Sequence, residues 1–96
     1  MIKKEDILQT LTKNKDSLYS KYPIKSLAVF GSVARDENIE NSDVDLLVEF
    51  NDDIGIRFID LAEEIESLLN QRVDLVSKKA VKPKYYKAFK EDLIYV

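Results

Sequence analysis

The sequence predicts a small α/β (α+β) fold. Three observations lead there. Helical and strand-like hydrophobic patterns alternate along the chain in the order αβαβαβαβ. The 96 residues are 45% hydrophobic, enough for one core, so residues 1–96 are expected to form a single domain. Finally, the stretch from Asp43 to Phe50 alternates between two faces, Val44, Leu46, Val48 and Phe50 on one and, apart from Leu47, acidic residues on the other.

Each element has its own signal. From Lys4 to about Lys21, the residues Ile7, Leu8, Leu11, Leu18, Tyr19 and Tyr22 form a helical stripe with a polar gap around Asn14, and Pro23 ends it. Lys25 to Phe30 places Leu27, Ala28, Val29 and Phe30 in succession, which suits a strand covered on both faces. Gly31-Ser32 stops that strand. Val33 to Asn41 is polar and opens as a short helix before looping out. In Asp43 to Phe50, Val44, Leu46, Val48 and Phe50 share one face of a strand and Asp43, Asp45, Leu47 and Glu49 the other.

Asn51-Asp52-Asp53 reads as a turn, and Phe58, Ile59, Ala62, Ile65, Leu68 and Leu69 form the next helical stripe. Glu63, Glu64 and Glu66 fall outside that stripe and are expected to be solvated. Arg72 to Val76 is a third strand, with Val73 and Leu75 pointing one way and Asp74 the other. Pro83 suits the first turn of a last helix, whose Tyr85, Tyr86 and Phe89 are expected to pack inward, and Leu93 to Val96 can return as a strand.

Composition excludes several chemistries. There is no cysteine, hence no disulfide framework, thiolate zinc site or cysteine nucleophile, and no histidine to act as base or metal ligand. Acid–base and metal chemistry must therefore run on carboxylates, lysine or tyrosine. The formal charge is -3, opposite to the basic footprint of phosphate-backbone binders, so direct nucleic-acid binding is not expected. The N-terminal MIKKEDILQT lacks the apolar region of a signal peptide and no segment is apolar enough to span a bilayer, so the expected compartment is the cytoplasm. A chain this short also leaves a substrate-holding surface half-built, which points to a partner subunit.

Three strands deliver three polar features: Gly31-Ser32 after the first, Asp43 and Asp45 opening the second, and Asp74 within the third. Carboxylates at i and i+2 of a strand share a face, roughly 6.5 to 7 Å apart at the backbone, so their oxygens can converge on hard cations. Oxygen-only ligation favours magnesium, with manganese as the substitute, over zinc. A third carboxylate from a neighbouring strand would complete a two-metal clamp for phosphoryl-type transfer. Gly31 permits close backbone approach to a phosphate, and a helix starting near Ser32 would aim free N–H groups at an anion. The combination outlines nucleotidyl transfer.

The segment GSVARDENIENSDVDLLVEF resembles the signature of the minimal nucleotidyltransferases, a branch of the DNA polymerase beta-like superfamily. In that family a Gly-Ser pair is followed after ten residues by Asp-x-Asp. The resemblance extends over nearly the whole chain and implies a mixed β-sheet with helices packed mainly on one face and the active site on the open face. It implies that Gly31 and Ser32 hold nucleotide phosphates, that Asp43 and Asp45 bind two magnesium ions, and that Asp74, within VDLV, helps bind metal and activates the acceptor hydroxyl. The chain departs from the family pattern at Val33, where a long residue is frequent, and at Asp36-Glu37, where glycine is common. Many relatives of this size are antitoxins encoded beside a HEPN-domain ribonuclease toxin, and those studied transfer AMP from ATP to a toxin tyrosine. The implied partners are thus ATP and a HEPN toxin held in a hetero-oligomer.

Other readings compete at single positions. Asp43 and Asp45 could be plain solvent-facing residues, Gly31-Ser32 an ordinary strand-to-helix turn with a serine cap, and Asp74 a structural partner of Arg72 or Lys25. Arg35, one turn past Ser32, could grip a phosphate or pair with Asp36, Glu37 or a partner chain. Lys82, Lys84, Lys87 and Lys90 with Tyr85 and Tyr86 superficially resemble an RNA-stacking patch. For the whole chain, the rivals are a non-catalytic antitoxin that masks its toxin by contact alone and a transferase acting on a small molecule or an RNA end.

Overall fold

The computed structural model describes residues 3–39 and 42–96. Helix α1 runs Lys4–Lys21 and buries Ile7, Leu11 and Leu18. The polar gap in its stripe is absorbed locally, because Asn14 Nδ2 donates to the Thr10 carbonyl at 2.8 Å. Tyr22, in extended backbone just ahead of Pro23, ends the helix, and its N–H still donates to Leu18 O.

Strand β1 is Ile24–Phe30 and runs directly into a single helical turn, α2, at Gly31–Ala34, one residue earlier than expected. Strand β2 is Val44–Phe50, α3 is Arg57–Leu69 and β3 is Val73–Ser77. A short helix α4 at Pro83–Phe89 and a 3-10 turn at Lys90–Asp92 precede β4, Ile94–Tyr95. The four strands form one mixed sheet in the order β3-β2-β1-β4. β2 is antiparallel to β1 and parallel to β3, and β4 is antiparallel to β1.

Alternation assigns the two faces. Leu27 and Val29 of β1, Val44, Leu46 and Val48 of β2 and Leu75 of β3 join Ile7, Leu11, Leu18, Leu61, Ile65 and Leu69 in one core. Helices α1 and α3 therefore cover one face. The opposite face carries Ala28, Phe30, Asp45, Leu47, Glu49, Asp74 and Val76, and there α4 lies near one edge through the Phe30–Phe89 ring stack. Among the described residues, no helix is long and apolar enough to cross a membrane.

Glu64 and Glu66 depart from the solvated-face expectation. Glu64 joins α3 to the end of α1, accepting from Lys21 Nζ at 2.6 Å and from the Tyr22 hydroxyl at 2.9 Å. Those donors hold its carboxyl below the usual carboxylate range, the Lys21 bond foremost. Glu66 Oε2 accepts the Val73 N–H at 3.0 Å and so ties α3 to the start of β3. Of the three, only Glu63 is exposed. Helix α4 also differs: none of its residues is buried, and Tyr85 stands 55% exposed with Lys84 over its ring.

Candidate active site

Three strand ends meet at one edge of the open face. β1 finishes at Phe30, while β2 and β3 begin there, because the former pairing is antiparallel and the latter parallel. Register then decides which side chains meet. Phe30 is paired with Asp45, and Asp45 with Asp74, so these three residues form one row across the sheet on the same face. Asp43 precedes β2 by one residue, two positions before Asp45; the Val44 N–H that follows it donates to Arg72 O and continues the ladder.

The row is electrostatically tense. Asp45 is half-buried, and its carboxyl is pushed above the usual aspartate range, first by lost hydration and then by the negative charges of Asp74 and Asp43; Arg35 acts in the opposite direction. Both cations weighed against Asp74 are engaged elsewhere. Arg72 Nε lies 3.5 Å from Asp43 Oδ1, and Lys25 Nζ lies 3.8 Å from Glu49 Oε2.

Gly31 turns the chain at φ +76, a left-handed conformation open to glycine at little cost. A Cβ there would overlap Asp45 Oδ2 and lie 3.0 Å from its Cγ, so the glycine brings turn and carboxylate together. Ser32 follows in the same turn and is half-buried, its carbonyl taken by the Glu37 N–H at 2.8 Å. Arg35 caps α2 by donating its N–H to Gly31 O, and its guanidinium pairs with Glu37 Oε1 at 3.0 Å and Asp92 Oδ2 at 3.2 Å. It thus sits beside the acid row, held by acids on both sides. Asp36 adopts φ 57, which rationalises why a glycine would suit this position, and its carboxylate accepts from Lys4 Nζ at 2.9 Å.

Among the described residues, no three acidic side chains form a ready-made cage for a cation. The donor set nevertheless fits magnesium, which takes one or two carboxylates and completes its shell with water and substrate phosphate oxygens. The mutual repulsion at Asp45 is what a bound divalent cation would relieve. A cavity of about 960 Å3 opens at the other end of the sheet, between residues 49–55 and 77–79, and none of the predicted site residues lines it.

Sequence reasoning passed over Phe30, Phe89 and Asp92. Phe30 had a signal, since it precedes Gly31 and alternation places it with Ala28. Phe89 and Asp92 had none, because their contacts to residues 30 and 35 depend on where the last segment folds back.

Comparison with known proteins places the fold. The protein adenylyltransferase MntA of Thermococcus cleftensis is 39% identical over 97 residues, 100% of this chain and 98% of that one. A solved structure provisionally described as a minimal nucleotidyltransferase has a TM-score of 0.71 at 34% identity, covering 91% of this chain and 93% of the other. A chain from the complex of a tri-AMPylated Shewanella oneidensis HEPN toxin with MNT antitoxin shares the fold, with a TM-score of 0.68 at 21% identity over 93% of this chain and 70% of its own. The nucleotidyltransferase domain model matches residues 11–96, across the glycine turn, the acid row and the closing strand alike, and this chain belongs to that family.

Proposed function

We propose that the chain is an antitoxin-type protein adenylyltransferase, transferring AMP from ATP to a tyrosine of a partner HEPN ribonuclease toxin. The observation that carries the reading is the row formed by Asp45 and Asp74 beside the Gly31 turn, with Asp43 two residues before Asp45. The name of the Thermococcus relative and the toxin complex that shares the fold supply the reaction type and the acceptor class.

In the proposed reaction, the tyrosine oxygen attacks the α-phosphorus of ATP, the bond from that phosphorus to the bridging oxygen of the β-phosphate breaks, and pyrophosphate leaves. Asp43, Asp45 and Asp74 would hold two magnesium ions, which supply charge neutralisation of the triphosphate and of the transition state. Asp74, at the exposed end of the row, accepts the phenolic proton. Backbone N–H groups of the Gly31-Ser32 turn and the Ser32 hydroxyl orient the phosphates, with Arg35 beside them. Positioning and electrostatics carry the rate, because the scheme uses no covalent nucleophile of the chain itself. The setting is the cytoplasm, with the chain in a hetero-oligomer with its toxin and making no direct contact with nucleic acid.

Incubating the chain with the HEPN protein encoded beside it, labelled ATP and magnesium, then reading label and mass on the toxin, tests this. Wild type is expected to label the toxin, and Asp43→Asn with Asp45→Asn is expected to abolish the label. Equal labelling by the double variant overturns the catalytic assignment, and neutralisation by both forms without label establishes a masking antitoxin instead.

A further inference from the structure

We infer that Phe89 is a positioning residue for the phosphate turn: its ring, brought from the end of the chain, holds Phe30 and with it the Gly31-Ser32 turn and Asp45. The inference rests on the proposed transferase reading and adds to it a residue outside the Gly-Ser and Asp-x-Asp signature.

Phe30 is the last residue of β1, bonded directly to Gly31 and paired in register with Asp45. It lies on the face away from the α1/α3 core. There it stacks on Phe89, with ring centroids 4.4 Å apart and planes 20° from parallel. Phe89 is held in turn by Tyr86, edge to face at 5.8 Å. Two further contacts fasten the same C-terminal segment nearby, one to the end of α2 and one to the middle of β1. Asp92 takes Arg35 Nη1 at 3.2 Å, and the Val96 N–H donates to Leu27 O at 3.0 Å.

Helix α4 buries none of its residues fully, so it is held by individual side-chain contacts, among them the Phe89 stack on Phe30 and Lys78 over the Tyr86 ring, rather than by a core. Without the Phe89 ring, Phe30 keeps its place in the strand but loses the surface that fixes its side chain. The turn that follows is then free to shift against Asp45, and displacements of about 1 Å in a positioned site can change rates by about 100-fold.

The test compares Phe89→Ala, Phe89→Leu and Phe89→Tyr with Phe58→Ala. Phe58 supplies a matched control: its ring meets Phe50 edge to face at 6.1 Å, at the end of β2 remote from the acid row. Three quantities are read in the presence of magnesium: the Kd for ATP by equilibrium dialysis, KM and kcat for AMP transfer to the toxin, and Tm. Phe89→Ala is expected to weaken ATP binding and raise its KM about 10-fold, Phe89→Leu to fall between, and Phe89→Tyr to restore wild-type values. Phe58→Ala is expected to lower Tm and leave ATP binding intact. Unchanged ATP binding in folded Phe89→Ala or Phe89→Leu overturns the inference, as does an equal loss in Phe58→Ala. A wild-type chain that binds ATP without transferring AMP overturns the transferase reading while leaving the role of Phe89 in ATP binding to be decided by the same dialysis.

Discussion

The carboxyl group of Asp45 occupies the space into which any side chain at Gly31 would project, with Asp45 Cγ 3.0 Å and Cβ 3.2 Å from the point where that Cβ would stand. Turn and carboxylate are therefore specified together. Gly31→Ala meets two penalties, a left-handed backbone at φ +76 worth about 1–2 kcal/mol and the overlap with Asp45. In an Asp45→Ala background the overlap with the carboxyl group is gone, leaving the backbone penalty and the close approach to the Cβ of residue 45 at 3.2 Å. Denaturant unfolding of the two single variants and the double is expected to show non-additivity, with a coupling of about 0.5–3 kcal/mol. Strict additivity means that the two residues do not share that space.

Asp45 also sets a pH dependence. Its folded-state pKa is raised by lost hydration and by the charges of Asp74 and Asp43, so the folded chain binds this proton more tightly than the unfolded chain. Stability from this group is present in acid and is lost as the pH rises from the ordinary aspartate range through the raised value. Asp45→Asn removes the charge that incurs the penalty. The variant is expected to melt at a higher temperature than wild type at neutral pH, and the gap is expected to close as the pH falls below the ordinary aspartate range. A variant that melts lower at neutral pH contradicts the sign.

Magnesium and ATP together should stabilise the wild-type chain by relieving the same repulsion. A ligand at about 100 times its Kd stabilises the folded state by about 2.7 kcal/mol, readable as a shift in Tm. Magnesium with ATP is expected to raise the wild-type Tm more than either alone, and Asp43→Asn with Asp45→Asn is expected to lose the joint shift. If the double variant shifts as far as wild type, these carboxylates do not hold the metal–nucleotide complex.

Most of the fold was legible because its signals are local. The α1 stripe stopped by Pro23 and the alternation of β2 give those elements to within a residue, and β2 alternation already separates Val44, Leu46 and Val48 from Asp45. The meeting of Asp45 and Asp74 was less so, since the parallel register of β2 and β3 comes from the α3 crossover and not from either strand alone. Glu64, Glu66 and Tyr85 were misread for a related reason. A helical stripe shows which face is apolar, but not whether a polar residue at its margin meets a donor from another element, as Glu64 meets Lys21, or whether an aromatic packs on another ring, as Phe89 does, or stays exposed, as Tyr85 does.

Glu66 supplies the last prediction, because it joins a helix to the strand that carries Asp74. Its Oε2 accepts the Val73 N–H, one residue before Asp74, while its own carbonyl takes the Gln71 N–H at 3.3 Å beyond the left-handed Asn70. Both ends of the α3–β3 turn thus converge on one residue. Glu66→Ala leaves a part-buried backbone donor without its acceptor, an effect of about 1 to 3 kcal/mol when water does not replace the bond. Glu66→Gln keeps a carbonyl oxygen in place and is expected to retain most of the stability. In AMP transfer, Glu66→Ala is expected to lower kcat more than it raises the KM for ATP, since the start of β3 places Asp74 and the phosphate turn belongs to β1. Equal losses in the alanine and glutamine variants would show that the charge of Glu66, not its acceptor, holds the strand.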